Sequence, residues 1–166
     1  PGWAANHDQD GLEAALAQVG NLDAGAAVAD CTAALGTLAR LDAATGTPGV
    51  IGFCLGGTLA WGVATAGEPA VCVSYYGSGV PDMLGGIDAV ACPTLFHFGN
   101  DDPYIPSDGI EAVNAAIAGR PGFVLNVENA GHAFDNHESA IFWNEHAAQT
   151  AWAKTMAFLG EHLPVG

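Results

Sequence analysis

The segment around Cys54 limits the possible folds more than any other part of the sequence. Residues 49–53, GVIGF, form a short apolar run typical of a buried strand, and residues from 55 to about 66 follow at once as a predicted helix. The letters GFCLGG at 52–57 place small residues two positions before and after Cys54. A nucleophile on such a sharp turn has a strained backbone, and larger neighbours would collide. The pattern predicts a nucleophile elbow with Cys54 as the nucleophile.

The rest of the chain alternates predicted helices and strands. Strands are predicted at 70–76, 93–98 and 123–127, and helices at 10–20, from Asn21 or Asp23 to about 41, from a cap at Asp108 to about 118, and at 138–163. This alternation favours an α/β fold with a parallel sheet flanked by helices, in a single domain over residues 1–166. Loops at the carboxyl ends of such strands form the site.

Two of these loops carry an acid and a base. An NDDPY turn follows the strand at 93–98, and spacing alone does not choose between Asp101 and Asp102. His132 follows the last strand, beside a glycine. The chain order of cysteine, aspartate and histidine is the nucleophile–acid–base order of hydrolases with a nucleophile elbow. We predict that His132 is the general base, and that the backbone N–H of Leu55, at a helix start, donates to an oxyanion. His97, inside a strand, is predicted to be a satisfied core histidine.

The four cysteines and the charged residues exclude several classes of function. The chain has no CxxC motif and no Cys–His cluster at zinc spacing, so we expect no metal and no cofactor. Free, mostly buried thiols indicate a reducing compartment, by default the cytoplasm. With 3 Lys+Arg against 18 Asp+Glu, a net charge of −15 argues against nucleic acid and anionic membranes as partners. No apolar stretch approaches the ~18 residues of a membrane span.

Three segments resemble the dienelactone hydrolase (carboxymethylenebutenolidase) family of the α/β-hydrolase superfamily. They are VIGFCLGG at 50–57, FHFGNDDPYIP at 96–106 and AGHAF at 130–134, and the resemblance runs from about residue 20 to the end. It implies a triad of Cys54, Asp102 and His132, because the family's acid stands four residues before a proline, here Pro106. It also implies hydrolysis of a small ester or lactone through a thioester intermediate.

The resemblance also bears on the substrate pocket. The family's strand-end tyrosine pair implies that Tyr75 lines the pocket, and further candidates, each equally able to be packing, are Phe53, Tyr104 and Phe134. One of the family's carboxylate-binding arginines corresponds to Asn136. None of Arg40, Arg120 and Lys154 is predicted to lie near the site, so a neutral ester or lactone is expected rather than an anionic one.

The family's sheet has more strands before the nucleophile strand than this sequence provides. Only about 50 residues precede Cys54, and they are predicted to be helical. By resemblance, the absent part supplies a second oxyanion donor, an acidic residue beside the resting cysteine and another arginine. We expect a missing N-terminal segment or a second chain to cover the edge of the nucleophile strand. The alternative function is a non-catalytic or incomplete hydrolase-fold protein.

Overall fold

The computed structural model describes residues 9–163. Its four strands are β1 (Val50–Phe53), β2 (Cys72–Tyr75), β3 (Thr94–Gly99) and β4 (Phe123–Glu128). The five α-helices are α1 (Gln9–Val19), α2 (Ala24–Leu38), α3 (Leu55–Ala66), α4 (Ser107–Ile117) and α5 (Glu145–His162), and a 3₁₀ helix spans Pro81–Ala89. None of the helices in the described part of the chain is both long and apolar enough to cross a membrane.

The four strands form one parallel sheet in the order β1-β2-β3-β4. Neighbours in sequence are therefore neighbours in the sheet, and the intervening helices return the chain to the same end each time. The short apolar runs of the sequence are the strands, because a parallel sheet covered on both faces buries its side chains above and below. The predicted α/β fold, with a parallel sheet flanked by helices, is confirmed.

One face of the sheet is covered by α3, and the strand register shows which side chains lie on that face. Gly52, Ser74 and Phe96 are paired across the first three strands and share a face. Ser74 Oγ donates to the Gly57 carbonyl on α3 (2.9 Å), and the Phe96 ring packs edge-on against Trp61 of the same helix at 5.3 Å. Trp61 and Phe96 are fully buried, and burying side chains of this size stabilises the fold by roughly 1.5–3 kcal/mol each.

The opposite face carries a buried polar network under α5. His97 on β3 is fully buried, and its Nε2 lies 2.9 Å from Thr155 Oγ1, which in turn lies 2.6 Å from the Tyr75 hydroxyl. The other ring nitrogen, Nδ1, is 2.8 Å from the side-chain amide nitrogen of Asn126. Lys154 on α5 contacts the Asn126 Oδ1. Every polar atom of the His97 ring has a partner, which confirms the prediction of a satisfied core histidine.

The ends of two helices differ from the sequence predictions. Helix α5 begins at Glu145 rather than near 138, because the Asn144 side chain caps it by accepting a hydrogen bond from the Ala147 N–H (3.1 Å). Helix α4 begins at Ser107, and Asp108 is in its first turn rather than at its cap. The predicted cap of α2 at Asp23 is confirmed by its bond from the Ala26 N–H (2.9 Å). The 3₁₀ helix between β2 and β3 was not predicted.

β1 is an edge strand of the sheet formed by the described residues. The N–H groups of Val50 and Cys54 donate to β2-side carbonyls at 2.8 and 3.0 Å, which leaves the N–H groups of Ile51 and Phe53 directed away from β2. Ile51 and Phe53 are 41% and 39% exposed. An apolar edge strand of this kind is a ready template for further pairing.

Candidate active site

The three sequence-predicted loops meet at the carboxyl end of the sheet. Cys54 directly follows β1, Asp102 is in the turn after β3, and His132 is in the loop after β4. Because all four strands run parallel, these loops emerge at the same edge. The topology therefore brings together three residues that are far apart in the sequence.

The turn at Cys54 has the geometry of a nucleophile elbow. Its φ of 54° and ψ of −120° lie in a region that non-glycine residues rarely adopt. A Cβ on Gly52 would lie 1.9 Å from the Gly56 carbonyl oxygen, and one on Gly57 would lie 2.4 Å from the Tyr75 carbonyl oxygen. Glycine at 52 and 57 is thus a steric requirement of the turn, whereas a Cβ on Gly56 would meet nothing within 4 Å, so the expected collision two positions after Cys54 does not occur. The turn holds the Cys54 side chain exposed at the start of α3.

Hydrogen bonds connect the three loops into a relay. His132 Nε2 lies 3.1 Å from Cys54 Sγ, and His132 Nδ1 lies 2.7 Å from Asp102 Oδ2. The second carboxylate oxygen of Asp102 accepts the backbone N–H of Tyr104 at 2.8 Å. Asp101 is exposed, and its backbone N–H donates to the Ala130 carbonyl. The structure therefore places Asp102, and not Asp101, against the imidazole.

The pKa values of Cys54 and His132 move in opposite directions. Loss of hydration is the largest single influence on Cys54 and raises the pKa of its thiol. The hydrogen bond and positive charge of His132, with the backbone N–H of Leu55, outweigh it and hold the pKa of Cys54 below its ordinary value. Burial lowers the pKa of His132, but its hydrogen bonds to Asp102 and Cys54, and the charges of both, raise it to about 9. The arrangement favours a thiolate beside an imidazolium.

A cavity of about 400 Å³ opens beside the Cys54 thiol. It is lined by side chains from the elbow, the end of β2 and the loop after β4: Phe53, Cys54, Tyr76, Ala133, Asp135, Asn136, His137 and Glu138. A second cavity, of about 440 Å³, lies on the other side of the imidazole, and its lining includes Tyr104 and His132. The Tyr104 ring packs edge-on against the His132 ring at 4.8 Å.

Tyr75, expected to line the pocket, is not among the residues that line the cavity beside Cys54. Tyr75 is fully buried beneath Phe53, with ring centroids 4.6 Å apart, and its hydroxyl contacts Thr155 under α5. The following residue, Tyr76, lines the cavity instead and packs edge-on against His132 at 5.3 Å. Tyr76 has a φ of 38°, so the chain turns immediately after β2, and both tyrosine rings contact Phe53 and Phe134.

Of the other predicted pocket residues, Phe53 lines the cavity and Phe134 does not. Phe134 is fully buried against Tyr75 and Tyr76 and belongs to the core. The segment from Asp135 to Glu138 forms much of the cavity wall, and of its residues the sequence analysis singled out Asn136 but missed Asp135, His137 and Glu138. This segment directly continues the loop that carries His132, and that continuity was the signal that could have placed it near the site.

The three basic residues of the chain lie elsewhere. Arg120 pairs with Asp88 at 2.5 Å, and Lys154 pairs with Glu128 at 3.2 Å. Arg40 contacts the Thr37 hydroxyl just beyond the end of α2. None of them lines the cavity beside Cys54. Within residues 9–163 no cluster of histidine, cysteine and acidic side chains has the arrangement of a metal site.

Comparisons with known proteins identify the family of the chain. The sequence model of the dienelactone hydrolase family matches residues 3–163. A carboxymethylenebutenolidase from Pseudomonas sp. (strain P51) is 35% identical over 139 residues, covering 84% of this chain and 58% of that protein. A carboxymethylenebutenolidase from Rhodococcus opacus is 35% identical over 173 residues, covering 94% of this chain and 65% of that protein.

Solved structures show the same fold. An esterase from Pyrococcus furiosus aligns with a TM-score of 0.62 at 16% identity, over 82% of this chain and 61% of that one. At this identity the likeness concerns the fold alone. The chain spans about three fifths of the length of the relatives that it matches.

Proposed function

Since this chain belongs to the dienelactone hydrolase family, we propose that it is a hydrolase that cleaves small esters or lactones with Cys54 as nucleophile. The observation that carries the proposal is the continuous relay from the Cys54 thiol through the His132 ring to the Asp102 carboxylate, at 3.1 and 2.7 Å. A nucleophile, its base and a group that orients the base are the components of acyl transfer.

The proposed reaction proceeds in two stages. His132 takes the thiol proton, and the Cys54 sulfur bonds to the carbonyl carbon while the carbonyl π electrons move to oxygen. The Leu55 N–H stabilises that oxyanion. The adduct collapses, the C–O bond breaks, and His132 gives its proton to the leaving oxygen. Water then attacks the thioester, His132 accepts a proton from it, and the acid leaves as the Cys54 thiolate is released.

The leaving-group chemistry favours esters and lactones over amides. A thiolate leaves a tetrahedral adduct more readily than an unprotonated amide nitrogen does, so an amide adduct would expel Cys54 and revert to substrate. An ester or lactone oxygen, especially an enolate, competes with the thiolate on more equal terms. Activated esters and lactones are therefore the proposed substrate class.

Replacing the nucleophile tests the proposal. Cys54→Ala is expected to abolish relay-dependent hydrolysis of a small activated ester such as p-nitrophenyl acetate, because the variant lacks the thiol that forms the thioester. Cys31→Ala is the matched control, since Cys31 is an exposed free thiol on α2 away from the relay. Full activity in Cys54→Ala would refute the assignment.

A thiol probe separates this function from that of a non-catalytic hydrolase-fold protein. Iodoacetamide should modify Cys54 much faster than the equally exposed Cys31, because the pKa of Cys54 is lowered. Equal rates at the two thiols would favour the non-catalytic alternative.

We further propose that additional polypeptide, from an N-terminal segment or a second chain, covers the edge of β1 and supplies a second oxyanion donor. The exposed Ile51 and Phe53 side chains and their outward N–H groups support this. Hydrogen exchange measures it directly: the amides of Ile51 and Phe53 should be protected if a strand pairs there. Exchange at the rate of an unpaired edge would contradict the covering.

A reducing compartment, the cytoplasm, is the proposed location. All four cysteines are free, and two of them, Cys31 and Cys54, are exposed rather than mostly buried as expected. Exposed thiols that form no disulfide suit a compartment in which thiols stay reduced. The proposed nucleophile also requires a reduced thiol to react.

A further inference from the structure

We propose that the site prefers esters and lactones that carry a positive charge near the scissile carbonyl, and disfavours anionic ones. This inference rests on the proposed function and specifies its substrate class. It comes from the cavity beside Cys54, where the same wall that faces the thiol carries the Asp135 carboxylate and two aromatic rings.

The first argument is the charge of the cavity wall. Asp135 lines the cavity, and among the described residues that line it no lysine or arginine is present and His137 is the one side chain that can carry a positive charge. Within residues 9–163 no ion pair to Asp135 is formed. Asp135 is partly buried, and that burial raises the pKa of its carboxyl, whereas the charge of His137 lowers it. Because the net shift is upward, the charge of His137 does not offset the lost hydration of the Asp135 carboxylate, and a positively charged ligand would stabilise it further.

The second argument is the aromatic surface next to that carboxylate. Phe53 and Tyr76 line the cavity together with Asp135, and their ring centroids are 6.2 Å apart. Tyr76 is 2% exposed and Phe53 is 39% exposed, so the accessible aromatic face is that of Phe53. Aromatic faces attract ammonium groups, most strongly where water is partly excluded.

The third argument is the field of the whole chain. The formal net charge is −15, and all three basic residues lie outside the cavity. A field of this sign concentrates cations at the surface and repels anions before they reach the thiol. An anionic substrate would therefore approach Cys54 against the net field and then meet a carboxylate.

A charge series of otherwise matched esters tests the inference. The p-nitrophenyl esters of 4-(trimethylammonio)butanoate, 5,5-dimethylhexanoate and glutarate (the monoester) present a cation, a neutral isostere and an anion at the same chain position. We expect kcat/KM to fall in that order, with about fivefold to tenfold between cation and neutral ester. Equal values, or a preference for the glutarate ester, would overturn the inference while leaving Cys54-dependent hydrolysis intact.

Variants at Asp135 test whether this carboxylate causes the preference for the cationic ester. Asp135→Asn should reduce the cation-to-neutral ratio to near 1, mainly through KM, and Asp135→Lys should favour the glutarate ester. Glu111→Gln is the matched control, because it removes one negative charge from an exposed position on α4 outside the cavity. A ratio that falls equally in Glu111→Gln would assign the preference to net charge rather than to Asp135.

A second measurement does not depend on ester hydrolysis. Cationic and anionic methanethiosulfonate reagents form a disulfide with the Cys54 thiolate and release a sulfinate, so their relative rates report the local potential. In the Cys31→Ala background the cationic reagent should react at least fivefold faster, and Asp135→Asn should reduce that ratio. Equal rates with the two reagents would refute the inferred preference for cations, whether or not the protein hydrolyses esters. A lack of ester hydrolysis would instead refute the proposed function.

Discussion

Two buried histidines beside one sheet differ in what surrounds them. His97, on β3, is fully buried and its pKa falls to about 3, while His132, in the loop after β4, is 7% exposed and its pKa rises to about 9. Burial lowers the pKa of both rings, because it penalises the imidazolium. The difference must therefore come from the groups that each ring contacts.

The hydrogen-bond partners of His97 require a neutral ring. Lys154 can only donate, so its contact with Asn126 fixes that atom as the amide oxygen and leaves the amide N–H₂ facing His97 Nδ1. Nδ1 must then accept, and Nε2–H donates to Thr155. A second ring proton would point at an N–H donor, and the charge of Lys154 also lowers the pKa of His97.

The partners of His132 have the opposite effect. Asp102 accepts at Nδ1 and the Cys54 thiol lies at Nε2, so each can pair with a charged imidazolium. Asp102 is held by the Tyr104 N–H, which keeps one carboxylate oxygen directed at the ring. The comparison indicates that partner chemistry, and not depth in the protein, separates a structural histidine from one that can exchange protons.

Removing each imidazole in turn is the most direct test of this difference. His132→Ala should lower kcat/KM for an activated ester by about 10²–10⁴-fold, the usual contribution of a general base. Iodoacetamide labelling of Cys54 should slow as well, because the imidazolium no longer stabilises the thiolate. Both measurements use the folded protein at neutral pH.

His97→Gln is the matched variant and should show the reverse pattern. It should keep kcat/KM within about threefold and lower the free energy of unfolding by about 1–3 kcal/mol, since Thr155 and Asn126 lose a buried partner. Urea unfolding measures the second quantity. If His97→Gln lost activity as severely as His132→Ala, the two networks would not be functionally distinct.

The sequence carried enough information to predict the relay because each part has a strong local signal. Cys54 is flanked by glycines, of which the turn requires those at 52 and 57, and the nucleophile, acid and base each follow a short apolar strand. Parallel topology then brings the three loops together without further information. Spacing left Asp101 and Asp102 open, because both lie in the same turn, and only the family pattern favoured Asp102.

Features set by tertiary packing or by one backbone angle were not predictable in the same way. Tyr75 and Tyr76 are adjacent, and the positive φ of Tyr76 decides which ring faces the cavity. The start of α5 was placed too early because residues 138–144 have no strong helix breaker, although Asn144 is a recognisable cap. The Asp135–Glu138 wall has no motif and acquires its role only where the loop passes the thiol.

The acid dependence of stability is a smaller effect that follows from the same comparison. Because the pKa of His132 is raised in the folded protein, this residue adds stability at pH values below its unfolded pKa near 6.5. That contribution is lost as the pH rises through the folded pKa of about 9. A lowered pKa, as at His97, makes the unfolded state bind the extra proton between pH 6.5 and about 3, so stability falls with acidification. Lowering the pH from 7 to 5 therefore reduces the contribution of His97 to the free energy of unfolding by about 1–2 kcal/mol. His97→Gln should show a correspondingly smaller loss in urea unfolding at the two pH values.

Lys154→Met identifies the cause of that acid sensitivity. Burial is the larger influence on His97 and the charge of Lys154 the smaller one, and the Lys154 side chain is itself about half exposed, where solvent screens its charge. The variant should therefore keep most of the wild-type loss between pH 7 and 5, while His97→Gln removes it. If Lys154→Met removed the acid sensitivity as completely as His97→Gln, the positive charge of Lys154, rather than burial, would keep His97 neutral. The explanation of the His97 pKa would then have to include the ion pair of Lys154 with Glu128 as well as the direct hydrogen bonds of the ring.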